Sequence, residues 1–483
     1  MWALLACAPT PERSGGSGGE PATGGTSTGG SAGAPQGGTL PLGGTGGTSI
    51  TPPDPTGGSG GCKNLQCRQQ VCPEGSETAV TGTVYAPNGT LPLYNALVYV
   101  PNAPLPAFPP GLACDRCGSL PAGEPVVSAV TDARGEFRLV NVPVGADIPI
   151  VIQVGKWRRQ LVVPNVAACA ETALDDREAT RLPRNRGEGD MPRIAVTTGS
   201  CDNLVCLIAK LGIDPDEWGV EGDEKAVTFY RGKPTSFDPH KDDRFTGALA
   251  GMTDASTLWG DFDALSRYDV AIFSCECEEA LENKGAPAYD AVTRYLAAGG
   301  RVFGTDYQYV WYQHSTDPNW VSATTVPGAA PNGEPTGDTT IRLDTGFPKG
   351  KALADWLSVI APENVYGEVV STQVFDNFSA TRPGVTQVWG SSGTLDDPTL
   401  VHPRFVTVNM PAGAPLTEQC GKAAHLDAHI AALSPAEFVR FPESCGPELA
   451  NGEQVLAFFF FDLAACIQED SKPVVAPPTT DPR

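Results

Sequence analysis

Between residues 79 and 163 apolar and polar side chains alternate in short runs, at 80–85, 96–100, 126–131, 136–140, 148–154 and 158–163, with turn residues between them. A period of two gives each run one inner and one outer face, so these runs predict the strands of an antiparallel β-sandwich. In Asp132-Ala133-Arg134-Gly135 the glycine can take positive φ at the end of a short loop, which predicts a hairpin. Its second strand turns Phe137 and Leu139 to one face and Arg138 to the other. After residue 190 the period changes. Continuous apolar runs at 194–198, 227–230, 268–274 and 301–304 alternate with helical stretches at 202–211, 253–266 and 288–298, the last stopped by Gly299-Gly300. Apolar strands separated by helices predict a flavodoxin-like α/β domain, a parallel sheet with helices on both faces. Further along come a helix at 351–360, strands near 369–375, 387–390, 405–409 and 421–429, and a closing helix at 453–466. Phe458 to Phe461 on that helix face all directions, so it should be buried between neighbours.

The 54 residues from Ala8 to Gly61 carry 19 Gly and four charged side chains. They have too little apolar surface to offset the entropy of ordering, so they read as a flexible spacer with a reach of roughly 40 Å. Ahead of it Leu4-Leu5-Ala6-Cys7 reads as a lipobox with Cys7 as the acylated residue, although only six residues precede it, as from a truncated signal or a late start site. The expected organisation is spacer 1–61, sandwich 62–190, α/β domain 191–470 and a disordered Pro-rich tail 471–483. A net charge of -23 would repel nucleic acid, which leaves neutral or cationic partners, with the membrane reached through the lipid anchor alone. The localisation this implies is exported, on the outer membrane or cell surface.

Fourteen cysteines without a paired CxxC…CxxC ribbon favour disulfides in an oxidising compartment. Apart from Cys7, six lie before residue 190: Cys62, Cys67, Cys72, Cys114, Cys117 and Cys169. This even set can close on itself, and Cys114 and Cys117 have Cys62, Cys67 and Cys72 as their nearest partners in sequence. The later set is Cys201, Cys206, Cys275, Cys277, Cys420, Cys445 and Cys466. Seven is odd, so one thiol should be free or should cross between domains. Cys275 and Cys277 are too close in an extended chain to pair easily with each other, and each is expected to pair with Cys201 or Cys206 or elsewhere. Cys445 should pair with Cys420 or Cys466.

Residues 127–145, VSAVTDARGEFRLVNVPVG, preceded by GTVYAPNG and NALVYVPN, resemble a carboxypeptidase regulatory-like domain. That resemblance implies a seven-stranded sandwich used for support, adhesion or glycan contact. The Pro-rich insertion 101–125, which holds Cys114-Asp115-Arg116-Cys117, departs from it. Residues 193–311, with YDVAIFSC and AVTRYLAAGGRVFGTDYQYVW, are similar to the trehalose-utilisation and glutamine-amidotransferase-like fold. Asp306 stands where that fold often shows His, and Cys275 lacks the small neighbours of a nucleophile elbow. End to end, CDRCG, LPRNRGEGD, STLWGD, FPKGKALADWL and FFFDLAACI resemble exported lipoproteins of myxobacteria and related bacteria. Some of these carry the label tryptophan synthase alpha chain, which implies a (β/α)8 barrel. The sequence contains no eight βα units.

Two sets of residues are candidates for function. Trp157 and Arg158, with Arg159, form an aromatic and basic group suited to stacking on a glycan. Asp306 and His429 are the candidate catalytic pair, with His425 and Asp427 on the same strand face as His429 and Cys275 to Cys277 nearby. No cofactor or metal is assigned. The acidic residues Asp202, Asp214, Asp216 and Glu217 and the run 221–224 lack calcium-loop spacing and read as solvated. The leading expectation is a non-enzymatic envelope protein that binds a glycan or a protein. The alternative is a hydrolase or sugar-modifying enzyme, which needs Asp306 and His429 within reach across an open crevice; a structural protein without a ligand is the third.

Overall fold

Seven strands open the computed structural model, which describes residues 62–199, 201–202, 204–233, 247–327, 339–371, 374–393, 400–429, 441–442 and 445–480. Cys7, the spacer and Ser200 lie outside the described residues. The seven are β1 (Ala79–Thr83), β2 (Leu97–Pro101), β3 (Pro125–Val130), β4 (Glu136–Val140), β5 (Gly145–Val154), β6 (Trp157–Val166) and β7 (Glu171–Leu174). They form a three-stranded sheet, β4-β1-β7, and a four-stranded sheet, β3-β2-β5-β6. Inward residues of both sheets, among them Val80, Leu139, Val98 and Ile152, belong to one apolar cluster. Along β4 the exposed-buried alternation puts Phe137 and Leu139 inside as the period of two requires. The sheets are not wholly antiparallel. After β6 the chain crosses to the other sheet and lays β7 beside β1 in the same direction.

The later strands are β8 (Ile194–Thr197), β9 (Trp218–Gly219), β10 (Val227–Tyr230), β11 (Val270–Phe273), β12 (Arg301–Thr305), β13 (Thr324–Thr325), β14 (Thr339–Leu343), β15 (Glu368–Ser371), β16 (Ala380–Thr381), β17 (Thr386–Gly393), β18 (Val401–Met410) and β19 (Gly421–Leu426). β13 and β16 form a small ribbon; the other ten make a single sheet in the order β15-β14-β17-β18-β19-β12-β11-β8-β10-β9. The six from β19 to β9 run parallel, as the apolar runs predict. The four from β15 to β18 run antiparallel, which corrects the expectation of a purely parallel sheet. The reason is the connections: no described helix lies between β17, β18 and β19, and strands joined without a crossover must reverse. The stretch 253–266 is two short helices, Ala255–Trp259 and Phe262–Leu265, because Asp261 caps the second by accepting from the Asp263 amide.

The helix Asn451–Ala464 fastens the seven-stranded part to the large sheet. Phe458, Phe459, Phe460 and Phe461 are all buried. Phe458 stacks on Tyr94 at 5.6 Å between ring centroids, Phe459 meets Trp389 at 4.9 Å, and Phe460 and Phe461 meet Trp157 at 5.9 and 5.8 Å. One apolar cluster therefore runs from Val80 through Trp157 to Ile194 and Phe461, across residue 190. The β5–β6 turn closes on the same helix: a Cβ on Gly155, at φ +55, would lie 1.8 Å from the Ala464 carbonyl oxygen.

The end of the chain is also held. Lys349, Lys422, Asp462 and Asp470 form a buried ion quartet with contacts of 2.5 to 3.1 Å. Beyond it Ser128 Oγ donates to the Pro477 carbonyl at 2.9 Å, and Gln66 Nε2 donates to Thr480 Oγ1 at 3.2 Å. The tail, expected to be disordered, thus lies along β3 as far as it is described, because Asp470 anchors its start.

Six disulfides are present among the described residues: Cys62–Cys67, Cys72–Cys169, Cys114–Cys420, Cys117–Cys466, Cys201–Cys277 and Cys206–Cys445. Three expectations change. Cys275, expected to pair, is the free cysteine among the described residues because Cys277 takes Cys201. Cys114 and Cys117 reach to the α/β part instead of the N-terminal cysteines, because the Pro-rich insertion lies against Gln419 and Ile467. Cys445 pairs with Cys206, not with Cys420 or Cys466. This density of bridges places the folded body in a non-cytoplasmic, oxidising environment, and no helix among the described residues is long and apolar enough to cross a membrane.

Candidate functional site at the switch point of the sheet

Strand order reverses between β8 and β11, since the chain lays β10 on one side of β8 and β11 on the other. In such sheets the crevice beyond the strands' C-terminal ends at this point is where ligands bind. Here it is filled. A Cβ on Gly199, just after β8, would meet the Cys275 carbonyl oxygen at 2.1 Å, so only glycine allows the two strand-end loops to approach this closely. The Cys201–Cys277 disulfide then joins them. Three non-glycine residues cluster here in the left-handed region: Cys277, Ala280 and Asp306, with φ of 68°, 50° and 40°.

The side chains converge. His429 Nε2 lies 3.5 Å from Asp306 Oδ2, and its Nδ1 lies 3.3 Å from Asp202 Oδ1 at an angle short of a hydrogen bond. Asp202 also takes the Thr305 hydroxyl. The Cys275 thiol faces Asp306 Oδ2 at 3.4 Å and accepts the Cys277 amide at 3.3 Å. Asn377 joins the rest: its Nδ2 donates to Asp306 Oδ1 at 3.1 Å, its Oδ1 meets His425 Nε2 at 2.9 Å, and its amide donates to Asp427 Oδ2 at 3.0 Å. Arg404 closes the far side on Asp427 at 2.8 Å.

Burial governs the protonation of these groups. It pushes the Asp306 carboxyl up, a shift partly opposed by His429. It pushes the Cys275 thiol well up, and the nearby Asp306 and Asp202 add to this. Burial drives His425 down to about 3. It also acts against a charged His429, but Asp202 and Asp306 outweigh it and raise the imidazole to about 9. The outcome is a neutral thiol, a neutral His425 and a cationic His429 facing the side chains of Asp202 and Asp306.

The predicted pair Asp306 and His429 is therefore brought together, with Asp306 fully buried and His429 partly buried among the described residues. The strand-face argument for His425, Asp427 and His429 holds only for His425, because β19 ends at Leu426 and the other two sit in the following bend. Sequence reasoning missed Asp202, Asn377 and Arg404. Asp202 was grouped with solvated acids, yet it is 1% exposed; its place just past the apolar run 194–198 was the available signal.

Trp157 and Arg158 form no ligand surface. Trp157 is fully buried in the aromatic cluster and donates from Nε1 to the Pro183 carbonyl at 3.0 Å. Arg158 pairs with Asp190 at 2.8 Å and lies 4.2 Å over the Phe108 ring. The apolar packing that makes Trp a good glycan platform is here spent on the Phe460–Phe461 edge. Trp157→Ala should leave any glycan binding unaltered at temperatures where the protein stays folded and cost about 3–5 kcal/mol of stability, measured by urea titration.

No protein-family model matches this chain, and no curated protein matches it significantly. Among solved structures, a ThuA-like protein from Bacteroides uniformis is 12% identical over 58% of this chain and 91% of that one, at TM-score 0.33. A ThuA-like protein from Parabacteroides merdae gives 12% identity, 58% and 92% coverage and TM-score 0.31. A cytoplasmic protein from Salmonella typhimurium gives 12%, 56% and 98%, at 0.26. The fold described here rests on the strand order and pairing of this chain itself.

Proposed function

We propose that this protein is a non-catalytic, disulfide-braced component of the cell envelope, exported, held by an acylated Cys7 on the spacer 8–61, and of binding or structural type. The observation that carries the non-catalytic part is the sealed switch point, where Cys275, Asp306 and Asp202 are buried and Cys201–Cys277 joins the loops above them. A thiol raised by burial and flanked by carboxylates is a poor nucleophile. The sheets of three and four strands support reading residues 62–190 as a carboxypeptidase regulatory-like module. With Trp157 and Arg158 buried, room for a glycan or protein segment lies instead in a cavity of about 390 Å³ beside the Pro-rich insertion, whose wall includes Phe108, Leu120, Lys156, Asp269 and Val475.

Alkylation of the native, unreduced protein tests this. Cys275 should resist iodoacetamide for hours and react only after unfolding; labelling within minutes at neutral pH would reveal an open, activated thiol and end the non-catalytic reading. The second reading, a hydrolase or sugar-modifying enzyme, is favoured by the 3.5 Å approach of His429 to Asp306. It requires turnover of a chromogenic glycoside or ester that His429→Ala abolishes.

A further inference from the structure

From the donor geometry at the switch point we infer that this chain holds a latent site for a thiolate-binding d10 metal ion, formed by Cys201, Cys275 and His429 and blocked while Cys201 is bonded to Cys277. The Cys201 and Cys275 sulfurs and one His429 ring nitrogen all lie within 4.8 Å of one another. Asp306 Oδ2 lies beside two of them, 3.4 Å from the Cys275 sulfur and 3.5 Å from His429 Nε2. Two sulfurs and one imidazole around a single point suit zinc or a similar soft ion, bound at about 2.0–2.3 Å with a fourth position left for solvent or a neighbouring carboxylate.

Two further features match a built metal site. Asp202 faces His429 Nδ1, the nitrogen turned away from Asp306, and a carboxylate there is the usual partner that orients a ligating imidazole. Asp202 is itself fixed by Thr305. The odd cysteine is also explained: Cys275 is the one free thiol among the described residues, and it is buried beside a disulfide with no bridge of its own.

Opening the site takes a dithiol or phosphine reductant. A dithiol passes two electrons and two protons to the Cys201–Cys277 bond, leaving two thiols and an oxidised reductant; the ion then replaces the protons of Cys201 and Cys275, which go to solvent. Disulfide and metal exclude one another at Cys201.

Cys277→Ser in the full chain isolates this step, because it frees Cys201 while the other bridges remain. The protein is handled without oxygen, treated briefly with a phosphine to open any Cys201–Cys275 bond, and titrated with Co2+ as the probe. The expected result is one Co2+ per chain with thiolate-to-cobalt charge-transfer absorption and tetrahedral ligand-field bands, absent from the unreduced wild type. Adding Cys275→Ser or His429→Ala should remove both spectral features while near-UV circular dichroism shows the fold intact. Asp202→Asn should keep the spectrum and weaken binding about 10- to 100-fold. The inference is overturned if Cys277→Ser binds no more Co2+ than the unreduced wild type, or if the spectrum survives both Cys275→Ser and His429→Ala.

Discussion

Replacing Asp470 with alanine should cost about 3–5 kcal/mol, the penalty for leaving a buried ion network one charge short. Lys349 Nζ is 3.0 Å and Lys422 Nζ 2.6 Å from its Oδ1, and Thr407 donates to its Oδ2 at 2.7 Å. All four ions are at most 6% exposed, so water does not replace the lost partner. Two ammonium groups would then face Asp462 alone. Urea titration followed by tryptophan fluorescence reads the loss; a change below about 1 kcal/mol, the scale of an exposed pair, would show that the quartet is solvated. The same cluster sets a pH window. Burial pushes Asp470 up, but Lys349 and Lys422 outweigh it and hold the carboxyl below its usual range. Burial likewise pushes the Lys349 ammonium down, and Asp462 and Asp470 outweigh that and hold it above its usual range. A depressed carboxyl contributes its stability above an unfolded pKa of about 3.9 and loses it as pH falls further. A raised ammonium contributes below about 10.4 and loses its part as pH rises through the folded value. The contributions of Asp470 and Lys349 should therefore both be present from about pH 4 to 10, and Asp470→Ala should flatten the loss of stability below pH 4.

Removing the two bridges of the Pro-rich insertion should have an effect of similar size. Cys114–Cys420 and Cys117–Cys466 span 306 and 349 residues, so each greatly restricts the unfolded chain. Their ends lie close together, and with one bridge kept the other closes a much shorter remaining loop. Serine at one pair should cost about 2–4 kcal/mol, and at both pairs roughly 5 kcal/mol or more. Without them the insertion keeps the packing of Leu112 on the α/β core and polar ties such as Arg116 Nε to the Gln419 carbonyl at 3.0 Å. Urea midpoints of the unreduced variants decide the matter; a double removal that costs no more than a single one would mean that the insertion is held by packing alone.

The fold was legible where one period dominates. The alternation at 136–140 and the apolar runs at 194–198, 268–274 and 301–304 match strands within a residue or two, because in each case burial on one face or on both imposes the pattern. Direction was less legible. β7 beside β1, and the reversal from β19 to β18, depend on which sheet edge is free, a property of the assembled structure and not of a local window. At the site, Asp306 and His429 could be named because both follow apolar strands. Asn377 could not, since it comes from a segment with no strand of its own and acts by bonding three side chains at once. Trp157 misled for a related reason: a Trp-Arg-Arg run looks wet by composition, and only the Phe460–Phe461 edge, some 300 positions along the chain, makes it dry.

The Cys72–Cys169 bridge has a mechanical consequence. A pull on the chain ahead of Cys62, resisted by the large sheet, would follow the shortest covalent path, crossing from Cys72 to Cys169 and bypassing the residues between them. Strands β1 to β6 would then carry little tension, and under load this part of the molecule would behave as a bead beside the line and not as a spring within it.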